Sequence, residues 1–142
     1  MMTDGSLYRF PARMESLEAL LSHVEKAAVS IDRGTVLRAQ TAIEELFANS
    51  VLYGNLGNDE QASVWLSVSD DNGELRLRYE DAFAAFDPFQ NLDAVVKLTE
   101  MPMEDRPVGG LGRLLVYQLA DQARYAREAD RNCVQLVFAP RP

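Results

Sequence analysis

The stretch from Ser63 to Asp81 constrains the fold more than any other part of the chain. Val64, Leu66 and Val68 alternate with Ser63, Trp65 and Ser67, the period of a strand with one covered face. Asp71-Asn72-Gly73 follows as a tight turn, because asparagine and glycine accept the positive φ values that a hairpin demands. Glu74 to Asp81 then returns as the partner strand, with Leu75, Leu77 and Tyr79 on one face and Arg76 and Arg78 on the other. A hairpin with one apolar face needs a second layer, and the flanking segments have to supply it.

Upstream, Leu7 to Phe10 reads as a short strand stopped by Pro11. Met14 to about Ser30 carries Leu17, Leu20, Leu21, Val24, Ala27 and Ala28 at helical spacing. Asp32-Arg33-Gly34 interrupts the pattern, and a second helix is expected from Thr35 to Tyr53, ended by the loop Gly54 to Asn58. Downstream of the hairpin, Ala82 to Pro107 loses periodicity and holds a short helical segment at Leu92 to Leu98; long irregular stretches of this kind are often lids or binding loops. Val108-Gly109-Gly110-Leu111-Gly112 opens a helix expected over Leu114 to Asp121. Strands at Ala123–Arg127 and Cys133–Phe138 close the chain around a turn at Asp130-Arg131-Asn132. The order predicts an α+β fold: a two-layer α/β sandwich with a mixed, mostly antiparallel sheet and helices on one face, forming one domain over residues 1–142.

Composition narrows the function. The net charge of −8 argues against direct nucleic-acid binding. The lone histidine, His23, removes histidine metal sites and Ser/His triads, and the lone cysteine, Cys133, has no partner for an internal disulfide and reads as a buried, reduced thiol. No apolar run approaches the ~20 residues of a membrane span, and a cytoplasmic protein with no membrane partner is expected.

Three features point to chemistry. Glu45 and Asn49 stand one helical turn apart at the border of the apolar stripe; a carboxylate there suits a general base and a carboxamide oxygen suits a hard cation such as Mg²⁺. Gly109, Gly110 and Gly112 precede a helix, where exposed backbone N–H groups favour phosphate. No Gly-Lys-Ser/Thr follows and no strand immediately precedes, so the run is neither a P-loop nor a dinucleotide fingerprint. Asp81 ends a strand just before the irregular segment, where its carboxylate can accept a hydrogen bond from an exocyclic amine.

In this order, the three features resemble a known pattern. Ala42 to Gly54, containing Glu45 and Asn49, is similar to the N box of the GHKL ATPase/kinase superfamily. Asp81 with Phe86-Asp87-Pro88 resembles the G1 box, and Arg106 to Gly112 resembles the G2 box. Leu119 to Tyr125 and the Arg131-Asn132 turn are most similar to the anti-sigma-factor serine kinase branch. The resemblance implies a Bergerat-type ATP-binding sandwich, ATP with Mg²⁺, and a protein serine kinase. It also implies an anti-anti-sigma (STAS-type) substrate, a sigma factor as second partner, and a homodimer as the form often seen. It makes Glu45 the base and Asn49 the Mg²⁺ ligand; Asp81 holds adenine, Gly109, Gly110, Leu111 and Gly112 line the phosphates, and Arg106 meets the γ-phosphate. One departure stands out. The G1 pattern Asp-x-Gly reads Asp81-Ala82-Phe83 here, which places bulk where the backbone would pass close to the nucleotide. The alternative is therefore a binding module of the same fold that has weakened or lost ATP use and acts by sequestering a protein partner.

Overall fold

The computed structural model describes residues 6–105 and 110–142. In chain order the elements are β1 (Tyr8–Pro11), α1 (Leu17–Ala27, entered through a 3₁₀ turn), α2 (Arg33–Asn49), β2 (Ser63–Asp71), β3 (Glu74–Asp81), α3 (Leu92–Leu98), α4 (Leu111–Leu119), β4 (Gln122–Glu128) and β5 (Arg131–Phe138). The strands form one sheet in the order β1-β2-β3-β5-β4, and every pairing among the described residues is antiparallel. α1 packs on β2, α2 lies across β3 and β5, and α4 runs beside α2. The helices thus cover one sheet face, as the sequence leads one to expect.

Register explains both the core and the polar patch beside it. On the covered face Leu66, Tyr79 and Val134 form one row, and Val68, Leu77 and Leu136 the next. These side chains are buried together with Leu20, Val24, Ile43, Leu46 and Phe47 from the helices. The row beyond, at the end where β3 stops, reads Val64, Asp81 and Asn132, so two polar side chains face the helix layer side by side. The opposite face stays polar. There Arg131 stacks on Trp65, 3.5 Å from the ring centre, and Glu80 lies beneath Arg78 and Arg131 as their shared ion-pair partner. Cys133 is buried on this side next to Glu80, and burial pushes its thiol pKa up, as befits an unreactive thiol.

The hairpin turn falls where expected, and other boundaries differ for identifiable reasons. The hairpin turn occurs at Asn72 and Gly73, both at positive φ. α2 begins two residues earlier than Thr35 because Asp32 caps it: Oδ2 accepts from the Thr35 N–H at 2.9 Å and Oδ1 from its hydroxyl at 2.7 Å. These bonds hold the Asp32 pKa below its ordinary value. The cap should therefore contribute fully above about pH 4 and be lost as pH falls through the lowered folded-state pKa. Asp32→Ala is expected to melt below the parent at neutral pH, with the gap closing in acid; a gap independent of pH would contradict the cap. The final turn lies at Ala129 and Asp130, both at positive φ, so Arg131 and Asn132 belong to β5 rather than to the turn.

Candidate functional site

α2 does not run unbroken to Tyr53. At Ser50 it widens into a π-helical turn, Ser50–Gly54, closed by the Asn55 N–H on the Ser50 carbonyl at 2.8 Å. Such turns recur at functional sites. Here the turn sets Ser50, which falls on the helix's apolar stripe, against the polar end of the sheet. The buried Tyr79 hydroxyl donates to Ser50 Oγ at 2.7 Å, and Ser50 Oγ donates to Asp81 Oδ2 at 2.7 Å. Burial holds the Tyr79 pKa well above its usual value, so it remains a donor. On the other oxygen, Asp81 Oδ1 accepts from Asn132 Nδ2 at 2.8 Å and from the Phe83 N–H at 3.2 Å. A carboxylate offers about four lone-pair sites, so these bonds leave Asp81 room for one further donor.

That donor has a cavity to arrive through. A space of about 650 Å³ opens above Asp81, between the end of α2, the π turn, the loop after β3, α3 and the start of α4. The volume lies within the range of small-molecule sites. Asn49, Ser50, Asp81, Arg113 and Asn132 supply its polar lining, and Leu46, Tyr53, Phe83, Phe86 and Val134 much of its apolar wall.

Asn49, Asp81 and Gly110 therefore share one cavity. Gly110 has φ +90° and carries the chain into α4. Glu45 lies one turn from Asn49 but leans toward α4, where a β-carbon on Gly112 would overlap its Oε2. Leu111, the first residue of α4, is half-buried and not part of the lining. Arg106 and Gly109 lie outside the described residues. α4 itself begins at Leu111, three residues before the expected Leu114.

The two described glycines at this end should respond differently. Gly110→Ala forces a side chain into the left-handed region, at a cost of about 1–3 kcal/mol in urea unfolding. Gly112→Ala meets only the end of a flexible side chain and favours the helix by up to about 1 kcal/mol. It should keep the parent's stability and move the Glu45 carboxylate. A variant structure with that carboxylate unmoved would contradict the assigned contact.

Phe83, in place of the glycine of the G1 pattern, turns its ring onto Gly54, with Cδ2 2.9 Å from where a β-carbon would stand. Its bulk therefore forms cavity wall rather than filling the space. The loop is strapped down behind it. Asn132 Nδ2 donates to the Ala84 carbonyl at 2.9 Å, Asn132 Oδ1 accepts from the Phe86 N–H at 3.0 Å and the Tyr125 hydroxyl at 2.6 Å, and Arg127 donates to the Phe83 carbonyl at 2.7 Å. Sequence reasoning missed Ser50, Arg113 and Asn132. Ser50 carried a usable signal, a polar residue at core spacing from Leu46 and Phe47, and Asn132 was hidden by its assignment to a turn.

The elements form a two-layer α+β sandwich with a cavity at the polar end of its sheet, and comparison with known proteins gives its family. Residues 10–138 match the family model of the histidine kinase-like ATPase domain, and the chain belongs to that family. Among solved structures it is similar to the RsbU and RsbW domains of Rv1364c from Mycobacterium tuberculosis, with a TM-score of 0.59 and 15% identity over 96% of this chain. At that identity the likeness is one of fold, and the match covers 33% of the solved chain, so the present chain spans about a third of its length. No curated protein matches the chain. No helix among the described residues is long and apolar enough to cross a membrane.

Proposed function

We propose that this chain is a serine protein kinase of the anti-sigma-factor type, which binds ATP with Mg²⁺ and phosphorylates a serine of a STAS-type anti-anti-sigma partner. The observation that carries the reading is the single cavity that joins Asn49, Asp81 and Gly110. The residues present fit the nucleotide. Asp81 retains one acceptor site for the adenine amine, and flat apolar walls from Phe83 and Phe86 suit a base. Gly110, at positive φ where a side chain is disfavoured, leaves backbone room at the phosphate end. Mg²⁺ asks little of the protein, because it keeps waters and phosphate oxygens; Asn49 would hold it through its carboxamide oxygen.

Bound ATP would supply the phosphoryl group, and Mg²⁺ held by Asn49 would offset the charge on it. Glu45 acts as the base: its carboxylate takes the proton of the partner's serine hydroxyl as that oxygen bonds to the γ-phosphorus and the bond to the bridging oxygen of ADP breaks. The seat on Gly112 holds Glu45 at the start of α4, the same helix end from which Gly110 lines the cavity. Gly109 and Gly112 complete the phosphate loop in this reading, and Arg106 meets the γ-phosphate. The protein works in the cytoplasm, switches between the STAS-type partner and a sigma factor, and so regulates transcription without touching nucleic acid itself.

A second reading has one observation in its favour. Phe83 occupies the position of the G1 glycine, and a partner-sequestering module with reduced ATP use would tolerate that change. Incubation with γ-labelled ATP, Mg²⁺ and a STAS-type partner separates the two. The kinase reading predicts label on a partner serine; a stable complex with the partner and no label would favour the module.

A further inference from the structure

Arg113 lines the cavity from the start of α4. Among the described residues it is the only cationic side chain lining the cavity. It lies in the first turn of α4, where a helix already carries partial positive charge and where cations are disfavoured. That turn holds no acidic residue and α4 has no side-chain cap. Arg113 is half-buried, and among the described residues its hydrogen bonds run from Nη1 to two neutral acceptors, the carbonyls of Pro88 at 3.1 Å and of Gln90. Among the described residues no ion pair includes it. Asp81 is bound by Ser50, Asn132 and Phe83, and Asp87, beside Pro88, accepts from the Phe89 N–H. Positive charge is thus gathered at the start of α4, on a cavity that Asp81 also lines.

We propose that Arg113 is a phosphate ligand of this cavity, contacting the anionic tail of the nucleotide. The proposal rests on the nucleotide reading above. The carbonyls of Pro88 and Gln90 fix one edge of the guanidinium, so little side-chain freedom remains to be lost when an anion binds. A guanidinium carries several N–H donors in a planar fork that matches phosphate oxygens, and a charge-assisted bond in a partly enclosed site is stronger than a neutral one. The same residue ties the loop after β3 to α4, so binding of the phosphates and the shape of the base-binding wall are linked through one side chain.

The test is calorimetric titration of the whole chain and of Arg113→Gln with ATP, ADP and AMP. Glutamine keeps a donor for the carbonyls and removes the charge, and the melting temperature of each protein reports folding. The expected result is a folded variant whose affinity loss grows with phosphate number, reaching about 10- to 100-fold for ATP. An equal loss for all three nucleotides would mean that Arg113 only straps the loop, and no loss would mean that it touches nothing bound; either overturns the proposal. Failure of the parent chain to bind any of the three overturns the nucleotide reading and this proposal with it, and is distinguished by the parent's own titration.

Discussion

Glu45→Gln is expected to slow phosphoryl transfer to a partner serine by about 10²–10⁴-fold while leaving nucleotide affinity within a few-fold of the parent. Glutamine preserves size and helix propensity and removes only the ability to take a proton. The geometry explains why binding should persist: the Glu45 side chain rests on Gly112 and is not part of the cavity lining. Asn49, one turn away, is part of it, so Asn49→Ala should weaken nucleotide binding itself, and chiefly when Mg²⁺ is present. Single-turnover transfer and equilibrium titration on the same preparations separate the two effects. Parental transfer rates in Glu45→Gln would remove Glu45 from the mechanism, and an equal loss of binding in both variants would remove the division of labour between them.

Asp81→Asn should have the largest effect on the base-binding end. The carboxylate accepts from Ser50, Asn132 and Phe83, and all three bonds are made in a setting where Asp81 and Asn132 are buried. An amide group turns one acceptor into a donor. On one side it then faces the Asn132 NH₂, and on the other a serine hydroxyl that already accepts from Tyr79. One buried donor loses its partner, at a cost of about 1–3 kcal/mol. The acceptor left for an adenine amine is compromised at the same time, so nucleotide affinity should fall by about tenfold or more. Urea unfolding reads the first effect and titration the second. A variant with parental stability would show that the network around Asp81 rearranges without loss, and one with parental affinity would show that adenine is held elsewhere.

Much of the fold was legible in the sequence because period and turn chemistry agreed. The hairpin at Asn72-Gly73, the facing of Leu75, Leu77 and Tyr79, and the short helix Leu92–Leu98 all follow from local pattern. The π turn at Ser50 does not, because apolar spacing continues through Leu52 and Tyr53 and the widening accompanies bonds to Tyr79 and Asp81, distant in sequence. The last turn was misplaced because alanine gives no turn signal, yet Ala129 takes positive φ. That slip hid Asn132, whose meaning lies in its register opposite Asp81. Helical spacing placed Glu45 and Asn49 on one side of α2, and it could not reveal that one enters the cavity wall while the other seats on α4, since that depends on where the second helix packs.

Titration of the purified chain with ATP, with and without Mg²⁺, bears most directly on the central claim. The account predicts saturable binding at one site per chain, tighter with Mg²⁺ than without it. A folded protein that gives no saturable heat at about millimolar nucleotide, whether or not Mg²⁺ is present, would contradict it.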